Sequence, residues 1–492
     1  MATIGVDIGT SSVKAIAFAD DWRALARARR SYVVRSSSDG FAELPVGAVL
    51  DATEAAVRST VGDCPEPVAA IAFAALGEAI FPQDGAGIPL AGAPLTADPR
   101  SRGLSEWWLE HLSADRIKAI TQLPLRDVWS ASRILWWLHN DPPMHGVGFR
   151  CLEDAAVERL GLPPTISTSL AARTMLYEPG RQDWSVELLA FLELEPTQLS
   201  AVALPGTPIG ELPEECWGLA AGTLVAVGGH DTYCSAIAVG ANDHAPMWST
   251  GTVDTVAFLS AAPLFDADSE VLCYEPEPGV WCTPFPNLNG GGSLSWMSRV
   301  LGADEGELLP SKVPDWADRP MVVPLFGTTG LPDFDSKPVS AIVGLCYTDD
   351  RSALATAVME GVTLETRYAL ESAAAPLEQV EQLNLAGGGT RSPVWAQHKA
   401  DVLGRPVTIR RENDAACVGA AMLARQALTG ERVTADEANE AVRQVEPTPR
   451  GSKQADSRFE LYRSLRALAL GEGREAWRRA IGVSATASSG RA

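Results

Sequence analysis

One stretch near the start of the chain recurs near its middle, and that recurrence constrains the fold more than any other feature. Thr3 to Asp20 reads TIGVDIGTSSVKAIAFAD. Ile4, Val6 and Ile8 alternate with small or acidic residues, the period of a half-buried strand. Gly9, Thr10, Ser11 and Ser12 form a polar turn, and Val13 to Phe18 reads as a second strand. Met247 to Phe258, MWSTGTVDTVAF, repeats the plan: a strand, Gly251 and Thr252 at the tip, then a strand with Val and Phe. Two halves that each open on a glycine–threonine hairpin predict duplicated domains facing each other over one phosphate chain.

The first turn carries chemistry as well as shape. Gly9 has no Cβ, tolerates φ > 0 and lets another group approach its backbone. Backbone N–H groups in such a turn make an anion-binding concavity, and the hydroxyls of Thr10 and Ser11 add donors. Lys14 brings positive charge, and Asp7, at the strand end, suits a water-coordinated Mg²⁺. An ordinary hairpin with no ligand stays open as the alternative.

Composition narrows the partners. A chain of 492 residues with 46% apolar side chains has material for two domains. A net charge of −22, with no basic run beyond Arg27, Arg29 and Arg30, argues against nucleic acid and anionic membranes as partners. Anionic ATP must then be gripped locally, by backbone dipoles, Mg²⁺ and one or two lysines. The eight cysteines are scattered without a C-x-x-C pair, so the expectation is reduced thiols in a cytoplasmic protein rather than a zinc site. Residues 1–20 read as a strand, not as an export signal. The most apolar stretch, Val68 to Phe81, is too short to span a bilayer and contains Glu78.

Helices alternate with strands along the chain, which sets the class as α/β. Val46 to Thr60, Trp129 to Asn140, residues 232–241 and Ala353 to Glu371 read as helices; Ala69 to Ala74, Thr223 to Val227 and Leu383 to Ala386 read as strands. Ser167 to Leu170 reads as a loop and Arg173 to Tyr177 as a short strand. Ser392 is placed as an N-cap, Pro393 as the first helical residue and Gly404 just past the helix end. Another helix runs from near Asp414 to Gly430. Residues 435–482 read as helical pieces broken at Pro447 to Ser452, and Ser484 to Ala492 as a disordered tail.

Asp231 is the sharpest single candidate. It follows an apolar strand and two glycines, and it opens a helix of small residues. A carboxylate at a helix N-terminus stays ionised easily. Phosphoryl transfer to an alcohol needs a group that accepts the hydroxyl proton, a role Asp can fill. A plain helix cap is the equal alternative. Gly387 to Gly389, between a strand and a capped helix, leaves bare backbone on which adenine can lie. It matches neither G-x-G-x-x-G nor the P-loop, so dinucleotide-binding and P-loop folds are not supported.

In this order, Asp7-Ile8-Gly9-Thr10, Gly229-His230-Asp231, Ser249-Thr250-Gly251-Thr252 and Gly387-Gly388-Gly389-Thr390-Arg391-Ser392-Pro393 resemble the FGGY carbohydrate kinases, of the actin/hexokinase-like ATPase superfamily. Ser130 to Trp136 resembles the family's first signature, with Arg133 where lysine is usual. Ser340 to Glu360 resembles the second, with Ala353 where a polar residue is usual. The resemblance runs from residue 3 to about 430 and is closest to the xylulokinase branch. It implies two ribonuclease-H-like domains with ATP and sugar meeting in the cleft between them. The expected boundaries are 1–240 for the N-terminal domain, 241–435 for the C-terminal domain and 436–483 for a helical extension, with 484–492 as the tail. By position, Asp7 would organise Mg²⁺, and Gly9, Thr10, Ser11 and Lys14 would hold phosphates. Gly251 and Thr252 would form the opposing hairpin, Gly388, Gly389 and Ser392 would border adenosine, and Asp231 would be the general base. The implied reaction moves a phosphoryl group from ATP to a sugar or polyol hydroxyl in a cytoplasmic enzyme, for which a homodimer is an open arrangement.

The departures lie on the sugar side. Where pentulose and gluconate kinases carry Gln-Met-His, this chain has Leu76-Gly77-Glu78, and Glu78 matches only the second residue of the Arg-Glu pair of glycerol kinases. The family's Gly-Glu-Arg appears as Gly327-Thr328-Thr329. Glu78, Asp98, Arg100 and Asp231 are the substrate candidates, while Trp107, Trp108 and Trp129 are read as core. A pentulose such as xylulose is the leading acceptor. A tetritol, cyclitol or sugar acid, or a catalytically weak actin-like binding protein, are the alternatives.

Overall fold

The computed structural model describes residues 1–480 apart from 38–39, 97, 141–146, 267–268, 311, 313–314, 316–318, 328 and 334–337. Thr328 and the expected tail 484–492 lie outside the described residues. The chain forms two compact units, one from Met1–Asn242, Phe258–Thr283 and Asp414–Glu440, the other from Asp243–Ala257, Pro284–Asn413 and Ala441–Ala492.

The first unit is built on strands β1 (Ala2–Ile8), β2 (Ser12–Phe18), β3 (Ala24–Ser31), β4 (Val68–Ala75), β5 (Pro208–Glu211), β6 (Leu224–Ala226) and β7 (Gly229–His230). Their order is β5–β6–β4–β1–β2–β3, with β7 also paired to β4. The hairpin β1–β2 is antiparallel, with Asp7 opposite Lys14 and Ile8 opposite Val13, whereas β1 and β4 are parallel. Alternate residues of β1 and β2 are all needed inside, and nearly every one is buried, as expected for strands covered on both faces.

A second sheet, most of it in the second unit, repeats this plan. The second sheet takes strands β8 (Met247–Thr250), β9 (Asp254–Ser260), β10 (Tyr274–Glu277), β11 (Val280–Asn287), β12 (Leu383–Ala386), β13 (Val407–Arg410) and β14 (Ala441–Val445). The order is β10–β11–β9–β8–β12–β13–β14. Again the opening hairpin, β8–β9, is antiparallel, and its first strand is parallel to the next one in, β12. The expected hairpin, Gly251–Thr252 tip included, is present.

The unit boundaries differ from those expected, for a packing reason. The Ala415–Thr429 helix belongs to the first unit because its backbone lies directly on β1 and on the Asp231–Val239 helix. A Cβ on Gly5 would sit 1.8 Å from the Cys417 carbonyl oxygen, and one on Gly419 would sit 2.0 Å from the Cys234 carbonyl oxygen. Ala70, Ala72, Ala74, Ala226, Ala420 and Ala424 share one core there, and their small side chains allow that approach.

Within the expected helical extension 436–483, of which 481–483 lie outside the described residues, the chain is not all helix. Ala441–Val445 is a strand antiparallel to β13. Pro447 to Ser452 is a helix start, not a break: the Thr448 hydroxyl accepts from the Gly451 N–H at 3.0 Å and Pro449 is the first helical residue. The Pro449–Leu470 helix then buries Phe459 and Tyr462 against Met321, Val323, Leu364 and Val402. The loop expected at Ser167–Leu170 holds a helical turn, Thr168–Ala171, and of the short strand expected at Arg173–Tyr177 only Tyr177 is in a strand, the two-residue Tyr177–Glu178.

Candidate active site

Three parallel strands of the first sheet end side by side. Asp7 on β1 and Gly229 on β7 both face Ala74 of β4, and Ile8 and His230 both face Ala75. At about 4.8 Å per strand, β1 and β7 lie about 10 Å apart. The carboxyl ends of parallel strands are where α/β sheets collect ligands. Asp7 and Gly9 stand at the end of β1, Glu78 follows β4, and Asp231 follows β7.

Asp231 is the first residue of its helix, and His230 occupies the cap position without a side-chain capping bond. The Thr232 hydroxyl donates to Asp231 Oδ1 at 3.2 Å. The side chain is 33% exposed. Burial, and then the negative charge of Asp7, push its pKa up to about 7. A carboxylate near neutrality is a competent proton acceptor at neutral pH. His230 Nε2 lies 3.4 Å from Asp231 Oδ1, and His230 Nδ1 lies 3.1 Å from the Tyr274 hydroxyl. Burial, and then Arg173, hold His230 well below the usual imidazole range, so the ring is neutral. Burial raises the Tyr274 phenol, which keeps its proton. If Tyr274 donates to Nδ1, Nε2–H is left directed at the Asp231 carboxylate.

Asp7 is 14% exposed, and Lys14 Nζ lies 3.6 Å from Asp7 Oδ2 and 2.7 Å from Asp414 Oδ1. Burial raises the pKa of Asp7, opposed by Lys14. Burial works against the Lys14 charge, but Asp7 and Asp414 outweigh it and raise the pKa. Lys14 therefore sits as a cation between two carboxylates. Gly9 does not use the left-handed backbone that its sequence position allowed. Its N–H donates to the Ser12 carbonyl at 3.2 Å, and its carbonyl accepts from the Tyr32 hydroxyl. Ser11 is exposed at the tip, and Thr10 is half-buried.

Glu78 has φ 60°, a strained backbone for a residue with a side chain. Arg133, 1% exposed, holds that turn: its Nη1 donates to the Glu78 carbonyl at 2.5 Å and to the Pro94 carbonyl at 2.8 Å, and its Nη2 to the Leu95 carbonyl at 2.8 Å. A planar guanidinium can serve these carbonyls at once, which a lysine ammonium does less well. Arg173 donates from Nε to Glu78 Oε1 at 2.7 Å and also from Nη2, while its guanidinium lies 5.0 Å from the Trp129 ring and 5.4 Å from the Tyr274 ring.

Asp98 and Arg100 are turned away from this group. Asp98 accepts from Arg100 Nε at 2.8 Å and from the Ala42 N–H at 2.7 Å; Arg100 also donates to Glu43 at 2.7 Å and stacks on Phe41 and Trp136. Their side chains are 0% and 3% exposed. A sealed ion pair of this kind ties a loop down and offers nothing to a sugar, which corrects the sequence expectation for both. Trp108 and Trp129, 0% and 1% exposed, are core as expected.

In the second unit, β8 and β12 are parallel, with Ser249 opposite Ala386, so the Gly251–Thr252 turn and the Gly387–Gly389 turn leave adjacent strand ends. Gly251, Thr252 and Gly388 are exposed. Gly387 has φ 79°, and a Cβ there would sit 2.5 Å from the Thr250 carbonyl oxygen. A Cβ on Gly389 would sit 2.6 Å from Thr250 Cβ, so close packing on Thr250 requires that glycine, quite apart from any ligand. Ser392 caps the Pro393–Leu403 helix, its hydroxyl accepting from the Trp395 N–H at 3.3 Å, and Gly404 closes it with φ 61°.

Sequence reasoning missed Arg173, Tyr274 and Asp414 as neighbours of these groups. Asp414 was visible only as the start of a helix, and no local pattern ties it to Lys14 some 400 positions earlier. His230 was visible beside Asp231, but its Tyr274 partner was not.

Residues 2–238 match the N-terminal domain, and residues 249–428 the C-terminal domain, of the FGGY family of carbohydrate kinases. This chain belongs to that family. The FGGY chain is 22% identical to the xylulose kinase of Staphylococcus xylosus over 94% of its own length and 99% of that protein's. It is 26% identical to the glycerol kinase of Methylibium petroleiphilum over 86% of its length and 89% of that protein's. The solved xylulose kinase from Lactobacillus acidophilus shares its fold with a TM-score of 0.82, at 22% identity over 96% of this chain and 99% of that one. As an FGGY kinase it is an ATP-dependent phosphotransferase acting on a hydroxyl of a small carbohydrate or polyol, with the two-domain mixed α/β fold of the family. Among the described residues, no helix is long and apolar enough to cross a membrane.

Proposed function

We propose that this FGGY kinase phosphorylates a terminal hydroxyl of a pentulose of the xylulose type, with Asp231 as the general base. The observation that carries the reading is the convergence of Asp7, Glu78 and Asp231 on the ends of three parallel strands, with Asp231 poised to about 7. Asp231 takes the proton of the attacking hydroxyl, and the neutral His230 orients the carboxylate. Glu78, fixed by Arg173 and Arg133, accepts hydrogen bonds from substrate hydroxyls. In the first unit Gly9, Thr10, Ser11 and Lys14 hold phosphates; in the second, Gly251 and Thr252 hold phosphates, and Gly388, Gly389 and Ser392 border adenosine.

Asp7 is the residue that would hold Mg²⁺. The donor set fits: Asp7 and Asp414 are oxygen ligands of the hard type that Mg²⁺ prefers, and a cation, the Lys14 ammonium, already lies between them. Bound there, the ion would neutralise charge on the phosphates. Eight free thiols support a reducing, cytoplasmic setting.

The test is ADP release by the purified protein with a panel of ketoses, polyols and sugar acids, run beside Asp231→Asn. Xylulose or a close pentulose is expected to give the highest kcat/KM, and the variant to lose it while ADP binding persists. Preference for a sugar acid or a tetritol would overturn the acceptor assignment, and undiminished transfer by the variant would overturn the base.

A further inference from the structure

The base of the second hairpin is built differently from the base of the first. Ile8 and Val13 oppose each other below the first turn, both 0% exposed. The opposed residues below the second turn are Thr250 and Asp254, and Asp254 is also 0% exposed. A buried carboxylate thus stands where the duplicated half uses an aliphatic side chain. Among the described residues four donors reach it: Trp248 Nε1 at 2.5 Å, Thr250 Oγ1 at 2.6 Å, Thr366 Oγ1 at 2.9 Å and Lys399 Nζ at 3.1 Å. Lys399 also donates to Thr250 Oγ1, and its ammonium lies 4.1 Å from the Trp248 ring.

A buried ion pair is a poor source of stability compared with packed apolar side chains. The first hairpin shows that this fold closes the same turn with two aliphatics. What the pair adds is connection. Lys399 comes from the Pro393–Leu403 helix, whose N-terminus carries the glycine turn, and Thr366 comes from the Arg351–Ser372 helix. Thr250 supports both turns: Gly387 and Gly389 rest on it, and Gly251 follows it.

We propose that Lys399, acting through Thr250 and Asp254, is a positioning residue for the nucleotide, fixing the Gly251–Thr252 phosphate turn against the Gly387–Gly389 adenosine turn. This rests on the ATP-site reading above. Burial, opposed by Asp254, lowers the Lys399 pKa to about 8. Other buried titratable or charged groups on the packed elements include His398 and Asp401 on the same helix, with Asp401 accepting from Gln397 and the Thr448 N–H, and the Arg458–Glu360 and Arg466–Glu365 pairs between the Pro449–Leu470 and Arg351–Ser372 helices. His398 is pushed to about 3, by burial first and then by Arg458 and Lys399, so it does not titrate in the same range. Loss of the Lys399 proton above pH 8 weakens the bridge.

The experiment compares wild type with Asp254→Val/Lys399→Met, which copies the apolar first hairpin, and with Thr250→Val, which deletes only the bridging hydroxyl. ADP binding is measured by calorimetry, and KM for ATP and for the acceptor from pH 7 to 9. The double variant is expected to unfold cooperatively, to bind ADP at least tenfold more weakly, and to raise KM for ATP while KM for the acceptor holds. KM for ATP is expected to rise above pH 8 in wild type and to stay flat in the double variant. If the double variant does not fold, Thr250→Val carries the test, with a threefold or larger rise in ADP Kd expected. Wild-type ADP affinity in the folded double variant, or in Thr250→Val where only that variant folds, overturns the positioning role. Wild type that binds no ADP overturns the ATP-site reading itself, and this role with it.

Discussion

Asp231 binds a proton more tightly in the folded protein than an ordinary carboxylate does, and two consequences of opposite kind follow. For catalysis, only the ionised form accepts a proton, so kcat/KM is expected to fall about tenfold per pH unit below about 7. Asp231→Asn should lower kcat by about 10²–10⁴-fold, the usual worth of general-base help, and abolish that acid limb. For stability, the raised folded pKa gives a contribution that is whole below about 4 and is lost as pH rises through about 7. Asp231→Asn escapes that loss. Its Tm should therefore match wild type near pH 4 and exceed it by a growing margin up to pH 7, as followed by calorimetry. A variant less active and less stable at pH 8 would mean that the carboxylate is a structural partner. Its place at the start of a helix was legible, because an apolar strand and two glycines precede it, and the structure makes Asp231 the first residue of that helix. Its tuning was not, because the burial that dominates it is a tertiary property and the charges of Asp7 and Glu78 reach it from distant parts of the chain. Asp98 and Arg100 show the converse: charged residues close in sequence look available until their partner, Glu43, is known.

At the level of elements, the hairpins were readable because alternation and a turn are local signals, and the same signals recur in both units. The Ala415–Thr429 helix was readable as a helix but not as a member of the first unit, since its backbone contacts lie on β1 and on the Asp231–Val239 helix. The strand Ala441–Val445 was read as helix because four of its five residues are exposed, so no apolar alternation marks it. Glycine positions give the contact a test. Gly419→Ala places a methyl 2.0 Å from a carbonyl oxygen, and should cost about 1–3 kcal/mol or more, as overpacking does. Gly47, in the Val46–Asp63 helix, has nothing within 4 Å of an added Cβ. Gly47→Ala should instead stabilise by about 0.4–1 kcal/mol through lost freedom in the unfolded chain. Urea unfolding of the pair reads both signs, and a neutral Gly419→Ala would show that the two helices part without penalty.

For the whole molecule, the governing quantity is a net charge of −22 on an enzyme whose co-substrate is a polyanion. Long-range repulsion opposes ATP approach, while the groups proposed to hold its phosphates, Lys14 and the backbone N–H groups of the turns, act only at short range. Lys14 is moreover already shared between Asp7 and Asp414, which leaves little net positive field in the first unit's turn. Salt separates the two contributions, because the Debye length shrinks from about 30 Å at 0.01 M to about 8 Å at 0.15 M, damping the global field well before it damps contacts at hydrogen-bond distance. KM for ATP is therefore expected to fall about two- to fivefold when monovalent salt is raised from about 10 to about 150 mM. An uncharged acceptor feels no such field, and its KM should stay constant, which makes it the internal control. If KM for ATP instead rises with salt, short-range ion pairs dominate capture, and substituting Lys14 should then weaken ATP binding more at low salt than at high.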